Sequence, residues 1–236
     1  MKSVKGWKVG QEDDGRSVAA DFSSESDILL VAFGGLKRGF GLIPPFEFFR
    51  ITREVDTKKL YVRDMNQAWY HRGLPGIADN IDGVAVYLKN MIREQQPRKV
   101  VAVGNSAGGY AALLFGYLLS ANIVLAFSPQ TFISKQERAL HGDDRWEEYQ
   151  ILNAHQSPTR QEKYFNLKRT LGARRTGTKY RIYYQQENRL DRIHAKRMRV
   201  VPNVFLHPRP EGGDDHHLVV HLKRNGALKK MLMREL

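Results

Sequence analysis

The chain has 236 residues, no cysteine, and 38 Lys+Arg against 25 Asp+Glu, which gives a formal net charge of +13. Its length and 42% hydrophobic content suit one domain with a sizeable core and exclude a disordered chain. The missing thiol excludes disulfides, cysteine-ligated zinc or iron–sulfur centres and a cysteine nucleophile. The charge alone leaves nucleic acid, a membrane surface and an anionic substrate open as partners.

The N-terminus, MKSVKGWKVGQEDDGRS, has lysines but no apolar stretch behind them and does not read as a secretory signal. The longest apolar runs, Ile28–Phe33, 100–103 and 111–119, fall far short of the roughly 20 residues that span a bilayer. These features predict a soluble, cytoplasmic protein without a transmembrane segment.

In chain order, the first strand is predicted over 17–22 and the second over Ile28–Phe33, followed by the glycine-rich GGLKRGFG. A helix is expected over 45–54, a strand over 60–62 and a long helix over 76–95. Then come a strand over 100–103, a helix over 108–119 and a strand over Ile123–Phe127. Residues 129–179 carry no convincing strand and read as helices and loops inserted between two sheet strands. Strands at 181–184 and 201–206, with helices at 190–200 and 217–235, complete the pattern. Most strands are continuous apolar runs, as strands buried on both faces must be, and their alternation with helices predicts a mostly parallel sheet covered on both sides. The expectation is one α/β domain over 1–236 with 129–179 as a small helical cap.

The most informative stretch is KVVAVGNSAGGYAALLFGYLL. An apolar strand runs into Gly104-Asn105-Ser106-Ala107-Gly108, and a small-residue helix follows at once. A strand-to-helix turn this tight leaves no room for bulky side chains two residues before and after the serine. It holds Ser106 in a strained conformation with its hydroxyl exposed at the carboxyl end of the sheet. The helix N-terminus brings the Ala107 N–H to an oxyanion developing beside Ser106. A glycine-rich helix start without chemistry is the competing reading.

Around this motif the chain resembles the α/β-hydrolase superfamily, from about Asp27 to the C-terminus, and the loops PPFEFF and RDMNQAWYHRGLPG are similar to those of little-characterised bacterial members. The resemblance implies a serine–acid–histidine triad in that chain order. The acid follows the 181–184 strand, where Asp191 is preferred and Glu187 is the alternate; the competing role for Asp191 is to cap the helix it opens. The histidine follows the last strand, in EGGDDHH, where His216 is preferred over His217; His207 and His221 are weaker candidates. The resemblance further implies a second oxyanion amide after the second strand, at Gly35 or Leu36. Asn105, Phe40, Trp69 and Tyr70 are expected in the substrate pocket, with Asp64 and Arg72 near its mouth, although packing is the competing use for these aromatics. In the cap, Trp146, Tyr149, Tyr164 and Phe165 would supply an apolar inner side, and Arg174 and Arg175 a basic rim.

The resulting expectation is a serine esterase or related acyl hydrolase that needs no cofactor. Its substrate would be a small-molecule, glycan or lipid acyl ester, anionic if the surplus positive charge serves recognition. An acyltransferase with the same triad and a non-catalytic accessory protein are the alternatives. Asp214, Asp215, His216 and His217 diverge in direction, and no H-E-x-x-H pattern is present, so no metal is expected. The basic residues are scattered and interleaved with acids, with no nucleic-acid-binding signature, so nucleic acid is not an expected partner.

Overall fold

Seven short apolar segments pair into a single sheet in the computed structural model, which describes residues 15–36, 46–146, 148–156 and 161–236. The strands are β1 (Val18–Asp21), β2 (Ile28–Phe33), β3 (Lys58–Val62), β4 (Lys99–Asn105), β5 (Ile123–Phe127), β6 (Lys179–Gln185) and β7 (Val204–Arg209). They lie in the order β1-β3-β2-β4-β5-β6-β7. β1 runs antiparallel to β3, and every other neighbouring pair is parallel.

The two faces carry separate cores, which is why the central strands are apolar at every position. Leu29, Val31 and Phe33 point into one core with α2 (Ile81–Gln95) and α3 (Ala107–Leu118). Leu30, Ala32, Val101 and Val103 point into the other, against α1 (Phe49–Thr52), α8 (Leu218–Arg224) and α9 (Ala227–Met233). α3 is buried from Ala107 through Tyr117, as a helix apolar on all sides must be. Between β5 and β6 lie α4 (Lys135–His141), α5 (Glu148–His155) and α6 (Leu167–Gly172). α7 (Arg189–Lys196) joins β6 to β7.

Several boundaries differ from the sequence pattern for local reasons. α2 starts at Ile81 rather than 76, because the Asn80 side chain accepts the Gly83 N–H at 2.9 Å and caps the helix there. β7 begins only at Val204, since Pro202 offers no N–H and Asn203 is left-handed at φ 60°. Pro208 inside β7 is tolerated because β7 is an edge strand. The helix expected over 217–235 is two, α8 and α9, separated at Gly226 with φ 74°. The first part of the 45–54 helix includes Pro45, which lies outside the described residues, and α1 is confined to Phe49–Thr52. Among the described residues no helix is long and apolar enough to cross a membrane.

Candidate active site

β4 ends at Asn105 and α3 begins at Ala107, so Ser106 alone makes the turn, at φ 55° and ψ −116°. Such a conformation costs an L-residue on the order of 1–3 kcal/mol and persists only where the surroundings enforce it. Here a Cβ on Gly104 would lie 1.9 Å from the Gly108 carbonyl oxygen, and one on Gly108 would lie 2.4 Å from the Phe33 oxygen. The two glycines are therefore required by close backbone approach. Burial of α3 offsets the strain.

The acid is positioned by the start of α7. Asn188, not Asp191, is the cap: its side chain accepts the Asp191 N–H at 2.9 Å. The Asp191 carboxylate, 1% exposed, is thereby left for His216, whose Nδ1 lies 2.5 Å from Oδ1. His216 Nε2 in turn lies 3.0 Å from Ser106 Oγ, across 110 residues of sequence. His216 is left-handed at φ 55° on a loop tied back to the acid's own segment. Gln185 Nε2 donates to Asp215 Oδ1 at 2.9 Å, and Asn188 Nδ2 to the Asp214 carbonyl at 2.6 Å.

Burial pushes the Asp191 pKa up, but the hydrogen bond and charge of His216, with Ser128 and Arg145 adding to them, outweigh it and hold the group below the usual carboxylate range. The carboxylate is ionised at neutral pH and can only accept. In a neutral His216 the Nδ1 position facing that carboxylate is the donor, which leaves Nε2 to accept from Ser106.

The alternates fall elsewhere. Glu187 is exposed and accepts from Gln186, and His217 is exposed with its N–H on Asp215. His221 pairs with Asp215 at 2.7 Å, and His207 stacks on Tyr183. Among the described residues no group of three or more His, Asp or Glu side chains converges as metal ligands do.

Of the amides expected to face an oxyanion, the Ala107 and Leu36 N–H groups have no acceptor among the described residues. Gly35 packs against the elbow, but its N–H donates to Glu47 Oε1 at 3.1 Å. Burial pushes the Glu47 carboxyl up to about 7, against that hydrogen bond. Phe40 lies outside the described residues. Trp69 and Tyr70 are 0% and 1% exposed, with the Tyr70 hydroxyl donating to the Gly34 and Val62 carbonyls, while Arg72 is exposed. Asp64 is buried and accepts the N–H groups of Asn66, Ala68 and Tyr70.

Four residues that no motif singled out complete the site. Gln130 is fully buried and its Nε2 lies 2.9 Å from Ser106 Oγ, while its Oε1 accepts from the Trp69 indole. Arg145 Nη1 approaches Asp191 Oδ1 at 3.1 Å and His216 Nδ1 at 3.4 Å, so arginine and imidazole compete for one oxygen. Asp143 holds the guanidinium at 2.8 and 3.1 Å and also meets His194 Nε2 at 2.8 Å. Sequence position offered one cue: Gln130 and Thr131 lie three and four residues beyond the carboxyl end of β5, where α/β sites assemble. In the β5–β6 insertion, Trp146 packs edge-on against Trp69 at 5.6 Å, and Phe165 against His71 at 4.7 Å. Tyr164 is buried, and Arg174 lies over the Tyr117 ring. A cavity of about 1110 Å³, lined by residues that include Tyr117, Lys135, Arg169 and Arg174, lies at the far end of α3 from Ser106.

No protein-family model matches the sequence, and no curated protein sequence matches it. Solved structures do match in shape. A mutant of the capsule O-acetyltransferase of Neisseria meningitidis serogroup A in complex with CoA is 12% identical, with 95% of this chain and 98% of that one covered at a TM-score of 0.65. The fluorophosphonate-binding serine hydrolase FphF of Staphylococcus aureus is 13% identical, with coverage of 90% and 84% and a TM-score of 0.55. Brefeldin A esterase, a bacterial homologue of human hormone-sensitive lipase, is 12% identical, with coverage of 95% and 76% and a TM-score of 0.56. The chain has the α/β-hydrolase fold.

Proposed function

We propose that the protein is a serine-dependent acyl hydrolase acting on an ester. Ser106 Oγ attacks the ester carbonyl carbon as His216 Nε2 takes its proton, and the carbonyl oxygen becomes an oxyanion. Asp191 holds the imidazole in its tautomer and stabilises the imidazolium. Ala107 N–H is one oxyanion donor and Leu36 N–H the second, since Glu47 engages Gly35. The tetrahedral adduct collapses, the C–O bond to the leaving alcohol breaks, and His216 returns the proton to that alcohol. Water then attacks the acyl-enzyme by the same route and releases the acid and Ser106. The β5–β6 insertion acts as a cap over this site, and the surplus positive charge favours an anionic ester.

The observation that carries this reading is the unbroken contact path from Ser106 Oγ to His216 Nε2 at 3.0 Å and from His216 Nδ1 to Asp191 Oδ1 at 2.5 Å, mounted on the left-handed elbow. A fluorophosphonate probe tests it. Wild type is expected to label and Ser106→Ala to stay unlabelled; equal labelling of the two, or none of either, removes the nucleophile and leaves a non-catalytic binding protein.

Acyl transfer is the second reading, because an alcohol can resolve the same acyl-enzyme in place of water. The similarity in fold to a capsule O-acetyltransferase bound to CoA supports this reading. Acetyl-CoA or p-nitrophenyl acetate offered with and without a sugar acceptor separates the two: a hydrolase gives acetate in both, a transferase gives acetylated sugar.

A further inference from the structure

The contacts at Ser106 have a direction. A Trp indole can only donate and an ionised carboxylate can only accept. The Trp69 indole faces Gln130, so the Gln130 carboxamide must turn its oxygen to Trp69 and its NH₂ to Ser106 Oγ, 2.9 Å away. Ser106 Oγ, receiving that hydrogen, directs its own to His216 Nε2, and His216 passes Nδ1–H to Asp191. The result is one continuous donor path from Trp69 through Gln130, Ser106 and His216 to Asp191, with both ends fixed by chemistry.

The front of this path is built as firmly as the back. Trp69 and Gln130 are both 0% exposed, and the Gln130 N–H is 3.3 Å from the Ser106 carbonyl. Trp69 sits in a loop where Gln67, Trp69 and Tyr70 are all left-handed, at φ 47°, 51° and 64°. Three such non-glycine residues within four positions are costly and need external restraint. Asp64 supplies it, through backbone N–H bonds at 3.0, 2.6 and 2.8 Å. Gln130 follows β5 and reaches Ser106 Oγ at 2.9 Å, whereas Leu36 follows β2 on the other side of β4. Gln130 is therefore placed on Oγ itself rather than on the carbonyl oxygen.

We infer that Gln130 is a catalytic residue that aims the Ser106 hydroxyl at His216 and stabilises negative charge on Oγ as the serine attacks and again as it leaves the acyl-enzyme, with Trp69 the positioning residue that sets its carboxamide. This rests on the nucleophile reading above and deepens it. In deacylation the bond from the acyl carbon to Oγ breaks, the electron pair goes to Oγ, and His216 delivers the proton, while Gln130 Nε2–H holds the departing oxygen.

The test is the rate of fluorophosphonate labelling and of p-nitrophenyl acetate turnover across pH for wild type, Ser106→Ala, Gln130→Ala, Gln130→Glu and Trp69→Phe, with thermal melts to confirm folding. Gln130→Ala is expected to lose about tenfold to a hundredfold in both rates while still labelling to completion. Gln130→Glu preserves shape and has a signature of its own. As a carboxylate it accepts the Ser106 hydrogen and turns it from His216; as a neutral acid it donates to Oγ as the amide does. Its activity relative to wild type is therefore expected to rise as pH falls. Trp69→Phe is expected to fall by less than Gln130→Ala, since the amide remains but loses its orientation. Folded Gln130→Ala and Gln130→Glu with wild-type rates and an unchanged pH profile overturn the role of Gln130 alone. Labelling that survives Ser106→Ala overturns the parent reading whatever Gln130 does.

Discussion

Ser106 Oγ and His216 Nε2 lie 3.0 Å apart and the two residues have the same left-handed φ, 55°, yet they are held by opposite means. Ser106 is fixed by sterics: Gly104 and Gly108 in backbone contact, an apolar strand behind and a fully buried helix ahead. His216 is fixed by polar contacts to residues from distant segments, with Asp191, Arg145, Gln185 and Asn188 all serving it or its loop. The steric half is local, and residues 104–108 carry no titratable side chain. The polar half is assembled across the chain and is open to adjustment by charge and pH.

The largest expected effect comes from breaking the polar half at its acid. Asp191→Asn keeps the shape but offers His216 an amide, which favours the wrong tautomer. Turnover of p-nitrophenyl acetate should fall about 10³- to 10⁴-fold, with a melting temperature little changed. Breaking the steric half should do the reverse in kind. Gly104→Ala forces a methyl onto the Gly108 carbonyl and should cost about 3 kcal/mol or more of stability, read by urea unfolding, because backbone rather than a flexible side chain must give way. If Gly104→Ala unfolds like wild type, the steric account of the elbow is wrong.

This division also sets what was legible in the sequence. The elbow was readable because strand, turn, glycines and helix are contiguous, so one stretch of residues specifies the whole arrangement. The parallel sheet was readable for a related reason: continuous apolar strands require cover on both faces. Asp191 was readable to a segment, but whether it capped α7 depended on Asn188 three residues earlier. Choosing His216 over the adjacent His217 depended on a left-handed backbone angle and on two side chains tying down the loop. Gln130, Arg145, Asp143 and His194 carried no motif. Apart from the Arg145 contact with Asp143, their contacts join positions dozens of residues apart, and beyond its place after a strand end nothing marks a buried glutamine as the neighbour of a serine.

A third substitution sharpens the comparison from within the polar half. Arg145 contacts Asp191 but lies outside the proposed proton path, and Asp143 and Asp191 both lean on it. Arg145→Met should leave Asp143 with only His194 and cost about 2–3 kcal/mol of stability, since a largely buried carboxylate loses its charged partner. Activity should change less than tenfold, because His216 keeps its contact with Asp191 and loses only a competitor for Oδ1. A loss as deep as that of Asp191→Asn would mean that the guanidinium takes part in the proton path.

The smallest effect reads the two halves by pH. His194 is 1% exposed and accepts the Thr131 N–H on Nδ1 at 2.9 Å, so it is neutral, with its proton on Nε2 facing Asp143. Burial pushes its pKa down to about 4, against the hydrogen bond it donates to Asp143, with the nearby Arg145 charge acting in the same direction as burial. At His194 the unfolded chain therefore binds a proton near pH 6.5 that the folded chain refuses until about pH 4, so the contribution of this group to stability falls as pH drops through that window. Between pH 7 and pH 5 this amounts to about 2 kcal/mol. His71, pushed down to about 3 chiefly by burial, adds a slope of the same sign, while Glu47 and Asp64, pushed up by burial to about 7 and about 6, add slopes of the opposite sign, so the wild-type curve alone does not isolate His194. The difference between wild type and His194→Gln does. The variant should be less stable at pH 7, where its amide replaces an imidazole fitted between Thr131 and Asp143, and the gap should narrow by about 2 kcal/mol by pH 5. Gly104→Ala should show no such narrowing, because nothing at the elbow titrates: its deficit should run parallel to wild type across the same range. Parallel curves for His194→Gln as well would mean that the polar half is held by packing after all.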